Sequence, residues 1–184
     1  IWEDKGPFKY EGKFWNVEVP DTMFDSLKFF LTPFQKPHPP IGVASLSYKS
    51  PSLIMAGEKG FIPLTLAFNT DFVRSHWEAV EEGAQRSGKT PSRKDWRICR
   101  DVYVADTDEE ARDAAVNGMT GRAWREYLLP LFKQFNLMPI FKHDPEVPDD
   151  AVNIDYLADH MWLVGSPETV ANKIRTLYND VGGF

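Results

Sequence analysis

Pro40-Ile41-Gly42-Val43-Ala44-Ser45-Leu46-Ser47, followed by Ala56-Gly57-Glu58-Lys59-Gly60-Phe61-Ile62-Pro63-Leu64, decides the fold class of this chain. Residues 41–44 are apolar and either small or β-branched, the composition of a strand covered on both faces. Ser45, Ser47, Ser50 and Ser52 follow at once. They fall where a parallel α/β sheet turns from strand to helix, the place where such folds hold phosphates and cofactors. Lys49 adds a positive charge. The plain alternative makes these serines turn and N-cap residues. Residues 61–66 then read as a second buried strand.

The same rhythm continues downstream. Thr70-Asp71 is expected to cap a helix over 72–86, which Ser87-Gly88 stops. A third strand is expected over 97–104. Asp106-Thr107-Asp108-Glu109-Glu110 opens a long helix with its acidic residues at the positive end of the dipole. Residues 119–135 are predicted helical, with Trp124, Tyr127, Leu128 and Phe132 on one stripe. Ser166-Pro167-Glu168-Thr169 gives an N-cap and a Pro at the first helical position, for a helix to about residue 178. Strands alternating with helices imply βαβ units and a parallel sheet.

Two stretches break the alternation. Residues 1–40 are rich in Pro, Gly and aromatics, with a hairpin signal at Glu11-Gly12 and an extended approach through Pro33, Pro37, Pro39 and Pro40. Residues 136–165 read as an insertion or lid. The chain is therefore one segment: lead-in over 1–40, βαβαβα core over 41–135, insertion over 136–165, final helix over 166–184.

Composition narrows the function classes. The 184 residues carry 21 basic and 27 acidic side chains and no long basic run, which argues against a nucleic-acid or membrane-surface binder. The single Cys99 excludes an intrachain disulfide framework and suits a reducing, cytoplasmic setting. The four histidines, His38, His76, His143 and His160, lack metal-ligand spacing, so no metal site is expected. His76 is expected on a solvated helix face. Aromatics at 14% suit a pocket for a flat ring. No Gly-rich dinucleotide fingerprint or P-loop is present.

Four stretches in register resemble the bacterial-luciferase-like flavin monooxygenases, in particular the limonene-monooxygenase-like subgroup. They are Tyr10-Glu11-Gly12-Lys13-Phe14-Trp15 leading to Gln35-Lys36-Pro37-His38; Ala44-Ser45-Leu46-Ser47 before Ala56-Gly57-Glu58-Lys59-Gly60-Phe61; Asp95-Trp96-Arg97-Ile98 through Asp108-Glu109-Glu110-Ala111; and Leu163-Val164-Gly165-Ser166-Pro167-Glu168. The resemblance implies a TIM (β/α)₈ barrel, here only strands five to seven, incomplete in this chain. Both termini would then be cuts, leaving open sheet edges near Val43, Leu66 or Val102. It also implies reduced FMN from a separate flavin reductase, O₂, a small organic substrate, and a homo-oligomer in the full-length form. A deazaflavin (F420)-dependent oxidoreductase and a non-catalytic flavin-binding module remain the alternatives.

Carried over by position, the cofactor candidates are Val43, Ala44, Ser45, Ser47, Tyr48 and Lys49. Phe68 stands where relatives often carry a pocket Trp, with a plain core Phe as the alternative. Where sulfonate-oxidising relatives show Arg and His, this chain has Cys99 and Asp101, which speaks against a sulfonate substrate. Cys99 as core filling and Asp101 paired with an Arg are the structural alternatives. His160 could reach the ligand from the end of the insertion or serve structure alone. The resemblance assigns no catalytic residue within this segment.

Overall fold

The computed structural model describes residues 7–21 and 33–184. The Ile1-Trp2-Glu3-Asp4 start and residues 22–32 of the lead-in lie outside the described residues. The chain divides into two compact units, Ile1–Ile41 and Gly42–Phe184. In the first, β1 (Phe8–Glu11) and β2 (Asn16–Val19) form an antiparallel hairpin with Glu11 opposite Asn16. The Gly12 N–H donates to the Trp15 carbonyl at 3.0 Å, so the turn spans residues 12–15.

The second unit carries the alternation. β3 (Gly42–Ser45), β4 (Ile62–Thr65) and β5 (Arg97–Ile98) lie side by side and parallel in that order. Between them run α1 (Pro51–Lys59) and α2 (Thr70–Arg86). Pro51 starts α1, and Gly60 ends it at φ 77°, where glycine alone is unstrained. Asn69 caps α2 in place of the expected Thr70-Asp71. Its Oδ1 accepts from the N–H groups of Asp71 (2.8 Å) and Phe72 (3.2 Å), so the helix begins two residues early.

Glycines set how closely the two helices approach. A Cβ on Gly83 would lie 1.8 Å from the Ile54 carbonyl oxygen, and one on Gly57 2.1 Å from that of Val80. Backbone therefore packs on backbone, and Leu53, Ala56, Val73, Trp77, Val80 and Trp96 close the core beneath.

The strand expected over 97–104 is two strands. After Ile98 the neighbouring chain turns away toward α2, and the Arg100 guanidinium takes its free carbonyls: Nη1 donates to Ala67 (2.9 Å) and Nη2 to Phe68 (3.2 Å). The strand resumes as β6 (Val102–Val104), which pairs in parallel with β7 (Leu163–Gly165). That partner strand was not foreseen. β6 keeps an open apolar edge, with Val102 54% exposed, whereas Val43 packs against the α1–α2 core.

A second core fills the rest. Thr107 and Glu110 form a reciprocal capping box at the start of α3 (Asp108–Asn117). α4 (Met119–Ala123) runs through a π turn at Trp124–Leu128 into α5 (Leu129–Gln134). Pro130 has no N–H to give the preceding turn, and the Leu129 N–H reaches back five residues to the Trp124 carbonyl. The added residue swings Tyr127 out to 64% exposure, off the expected stripe, and leaves Trp124 buried. Trp124, Met138, Phe141, Leu157 and Trp162 form this core, with α6 (Ile154–His160) on its rim. α7 (Pro167–Val181) follows, capped by Ser166 as expected.

Candidate functional site

Register assigns side chains to faces. Residues paired across parallel strands share a face, so Ala44, Leu64 and Arg97 point one way while Ser45, Thr65 and Ile98 point the other. Thr65 and Ile98 meet the helices, as does Val43. The opposite face is free of α1 and α2. Gly42 belongs to it, since a Cβ there would meet Leu64 Cδ1 at 3.0 Å. Gly42 and Ala44 are exposed, so they leave a shallow surface of small residues. Val43 and Ala44, paired as cofactor candidates, thus stand on opposite faces.

The loop after β3 is tightly folded. Ser45 Oγ accepts from the Ser47 N–H at 3.2 Å. Tyr48 is half-exposed and sets its ring edge-on to Phe72 at 5.4 Å. Lys49 holds φ 47°, in the left-handed region, with its ammonium 5.7 Å over the Tyr48 ring. The Lys49 N–H donates to Ser75 Oγ at 3.0 Å. α1 then opens with no side-chain cap and no acidic residue in its first turn. Pro51 has no N–H and the Leu53 N–H donates to the Ser50 carbonyl at 3.0 Å, so this helix start offers an anion the Ser52 N–H and the positive dipole end. Small residues for a ring, hydroxyls, a helix start and one ammonium are the donor set that a flavin phosphate needs.

His76 corrects the expectation of a solvated histidine. It is fully buried and lies inside a polar chain. Nε2 bonds the Ser47 carbonyl at 2.9 Å, and Nδ1 bonds Thr65 Oγ1 at 3.0 Å. A carbonyl only accepts, so Nε2 carries the proton and Nδ1 accepts from Thr65. Thr65 Oγ1 in turn accepts from Trp96 Nε1 at 2.8 Å. Burial lowers the His76 pKa below its usual 6.5, against the raising effect of the Ser47 bond. The sequence held a signal for this: Val73, His76, Trp77 and Val80 recur at i, i+3, i+4 and i+7, the period of a core face.

The substrate candidates separate into two settings. Phe68 packs on Trp124 (5.8 Å) and Phe141 (5.4 Å), with the Arg100 guanidinium 5.1 Å above its ring. Phe68 and His160 both line a cavity of about 490 Å³ that also holds Arg100, Trp162 and Lys173. Burial pulls the Arg100 pKa down to about 10. His160 stacks on His143 at 4.3 Å and meets the Tyr156 ring at a tilt, 4.7 Å between centroids. Cys99 is exposed, just past the last rung. Asp101 is half-buried; burial raises its pKa, opposed by a hydrogen bond from Trp124 and the charge of Arg100. Arg100, Trp124 and His76 carry no functional assignment from sequence, yet each touches a residue that does. Among the described residues no three His, Cys, Asp or Glu side chains converge as a metal site, and no helix is long and apolar enough to cross a membrane.

Parallel strands with helices on one face are part of a (β/α)₈ barrel, a fold whose sites lie at the strand ends. Residues 1–183 match the family described as "Luciferase-like monooxygenase", and the chain belongs to that family. It is 34% identical to 3,6-diketocamphane 1,6-monooxygenase of Pseudomonas putida and 36% identical to 2,5-diketocamphane 1,2-monooxygenase 1 of the same organism, over its whole length in both cases. These matches cover 50% and 52% of those proteins, so the chain spans about half the length of the curated relatives and forms a partial barrel. Limonene 1,2-monooxygenase of Rhodococcus erythropolis is 32% identical over 77% of this chain and 34% of that protein. Among solved structures, the oxygenating constituent of 3,6-diketocamphane monooxygenase, a type II Baeyer–Villiger monooxygenase in complex with FMN, superposes with a TM-score of 0.84 at 34% identity, over 100% of this chain and 50% of that one. An F420-dependent tetrahydromethanopterin reductase of Methanopyrus kandleri shares the fold at a TM-score of 0.58 and 17% identity, over 97% of this chain and 51% of that one.

Proposed function

We propose that this segment belongs to a two-component flavin-dependent monooxygenase. The enzyme takes reduced FMN from a separate reductase and uses O₂ to oxygenate a small organic substrate. One observation carries the reading: the chain is 34% identical, end to end, to a protein whose structure holds FMN. The strand-end residues described above suit that cofactor. The Baeyer–Villiger chemistry of the same relative favours a ketone as substrate.

Each residue has a stated part. Gly42 and Ala44 accept the flat ring on the free face of the sheet. The hydroxyls of Ser45 and Ser47 and the start of α1 hold the phosphate, with Lys49 as counter-charge. Tyr48 borders the ring, and Val43 contributes main chain. Phe68 and His160 face the substrate from the cavity they share, Cys99 and Asp101 border it from the segment between β5 and β6, and the insertion from residue 136 up to β7 covers it and excludes water. When bound, the reduced flavin supplies the electrons that activate oxygen. F420 has only a likeness of fold at 17% identity in its favour.

The test is an FMN titration of the full-length protein, with oxygen uptake on added reduced FMN. Micromolar or tighter binding, and uptake coupled to ketone consumption, are expected. Binding of F420 with no binding of FMN would overturn the reading.

A further inference from the structure

We propose that His76 is a positioning residue of this site: from inside the core it fixes the loop at residues 46–50 in the shape that receives the flavin phosphate. The cofactor assignment rests on the reading above; the bracing of the loop does not.

Two neighbouring residues on α2 grip the loop at two points. His76 Nε2 donates to the Ser47 carbonyl at 2.9 Å, and Ser75 Oγ accepts from the Lys49 N–H at 3.0 Å. Ser75 is itself anchored, donating to the Phe72 carbonyl at 2.7 Å. Between the grips, Lys49 is held at φ 47°. An L side chain keeps such a conformation only where its surroundings fix it.

Packing alone gives a weak reason for a histidine here. His76 is 0% exposed on a face shared with Val73, Trp77 and Val80, where an apolar side chain of similar size would fill the space. Removing the ring would leave the buried Thr65 hydroxyl and the Ser47 carbonyl without this partner. What leucine cannot do is link strand to loop. The chain from Trp96 Nε1 through Thr65 Oγ1 and His76 to the Ser47 carbonyl starts on the segment entering β5, crosses β4 and α2, and ends at the strand mouth. Every donor in it has one acceptor, so the imidazole ring has one orientation and the Ser47 carbonyl has one place to point. The Ser47 hydroxyl and the start of α1 are then set without help from a ligand, which spares binding the cost of ordering them.

The test uses the full-length protein and the variants His76→Leu, His76→Gln and Ser75→Ala. Backbone hydrogen exchange over residues 46–53 and FMN affinity by fluorescence titration are the two readouts. For His76→Leu we expect exchange in the loop to rise and the FMN dissociation constant to increase about tenfold, the scale of one lost charge-assisted or well-oriented hydrogen bond. Glutamine can donate to the Ser47 carbonyl and accept from Thr65, so His76→Gln should return affinity to within about threefold of wild type. Ser75→Ala should act in the direction of His76→Leu, more weakly, and carries the test if the leucine variant does not fold. Unchanged loop exchange in both His76→Leu and Ser75→Ala overturns the proposal. Unchanged FMN affinity in them overturns it too, and Ser45→Ala and Ser47→Ala then locate the fault. If these weaken FMN, the loop is the cofactor site and His76 does not position it; if they also leave affinity unchanged, the cofactor reading fails.

Discussion

The core under α1 and α2 and the core around Trp124 bury apolar surface in opposite ways. In the first, Gly57 and Gly83 let two helix backbones touch, and the strands beneath carry regular alternation. In the second, large rings from irregular segments interlock: Trp124 meets Phe68, Phe132, Phe141 and Trp162 within 6.1 Å. The first is a rigid platform whose tolerances are set by backbone contact. The second is held by side-chain volume, with a π turn and one-turn helices as its frame. The difference separates the two regions: in the platform, backbone contact fixes the strand ends, and in the second region ring packing holds the irregular segment at residues 138–141.

Emptying the aromatic core should have the largest effect. Trp124→Ala removes the ring that four others touch and should cost about 4 kcal/mol in urea unfolding. A loss under about 1 kcal/mol would mean that these rings are not a cooperative core. Gly83→Ala should cost about 3 kcal/mol, because the added methyl meets the Ile54 carbonyl and the helices must part. If this variant is as stable as wild type, the close helix approach is wrong. Thr107→Ala removes one half of the capping box that starts the second region and should cost about 1 kcal/mol, with no change at the first.

The pH effect should be the smallest; His76 in the platform shares it with His160 on α6, whose pKa burial also lowers. Burial lowers the folded-state pKa of His76 below 6.5, so the unfolded chain binds the extra proton first. Stability is therefore complete above about pH 6.5 and falls as the pH drops through the lowered folded value. Unfolding midpoints between pH 7 and 5 should show this fall in wild type and a flatter curve in His76→Gln. Equal slopes would mean that His76 does not titrate on unfolding.

Sequence was informative where periodicity and caps act locally. The strands expected at residues 41–44 and 61–66 form at 42–45 and 62–65, and the Ser166 cap and the stop at Ser87-Gly88 follow from residue type. It failed where distant groups decide. Arg100 breaks the third strand by binding carbonyls some 30 residues away, and β7 is a strand only because β6 lies beside it. Trp124 and Phe141 join Phe68 through folding, not spacing. As a candidate for the site, the Ser45-to-Lys49 loop stood out by its small and hydroxyl residues. Its support was only half legible: the period of Val73, His76, Trp77 and Val80 marks a buried ring, but Thr65 and Ser47 become its partners only through folding.

The central claim of the proposal is that the free face of the β3–β5 sheet, and not its helix face, receives the flavin ring. FMN titration of the full-length protein with Ala44→Leu and Val43→Ala tests it most directly. Ala44→Leu fills the free face and should abolish measurable FMN binding while leaving the unfolding midpoint near wild type. Val43→Ala trims the helix-facing core and should lower stability by about 1–2 kcal/mol while FMN affinity stays within about threefold. Wild-type FMN affinity in Ala44→Leu, with the fold intact, would contradict the account.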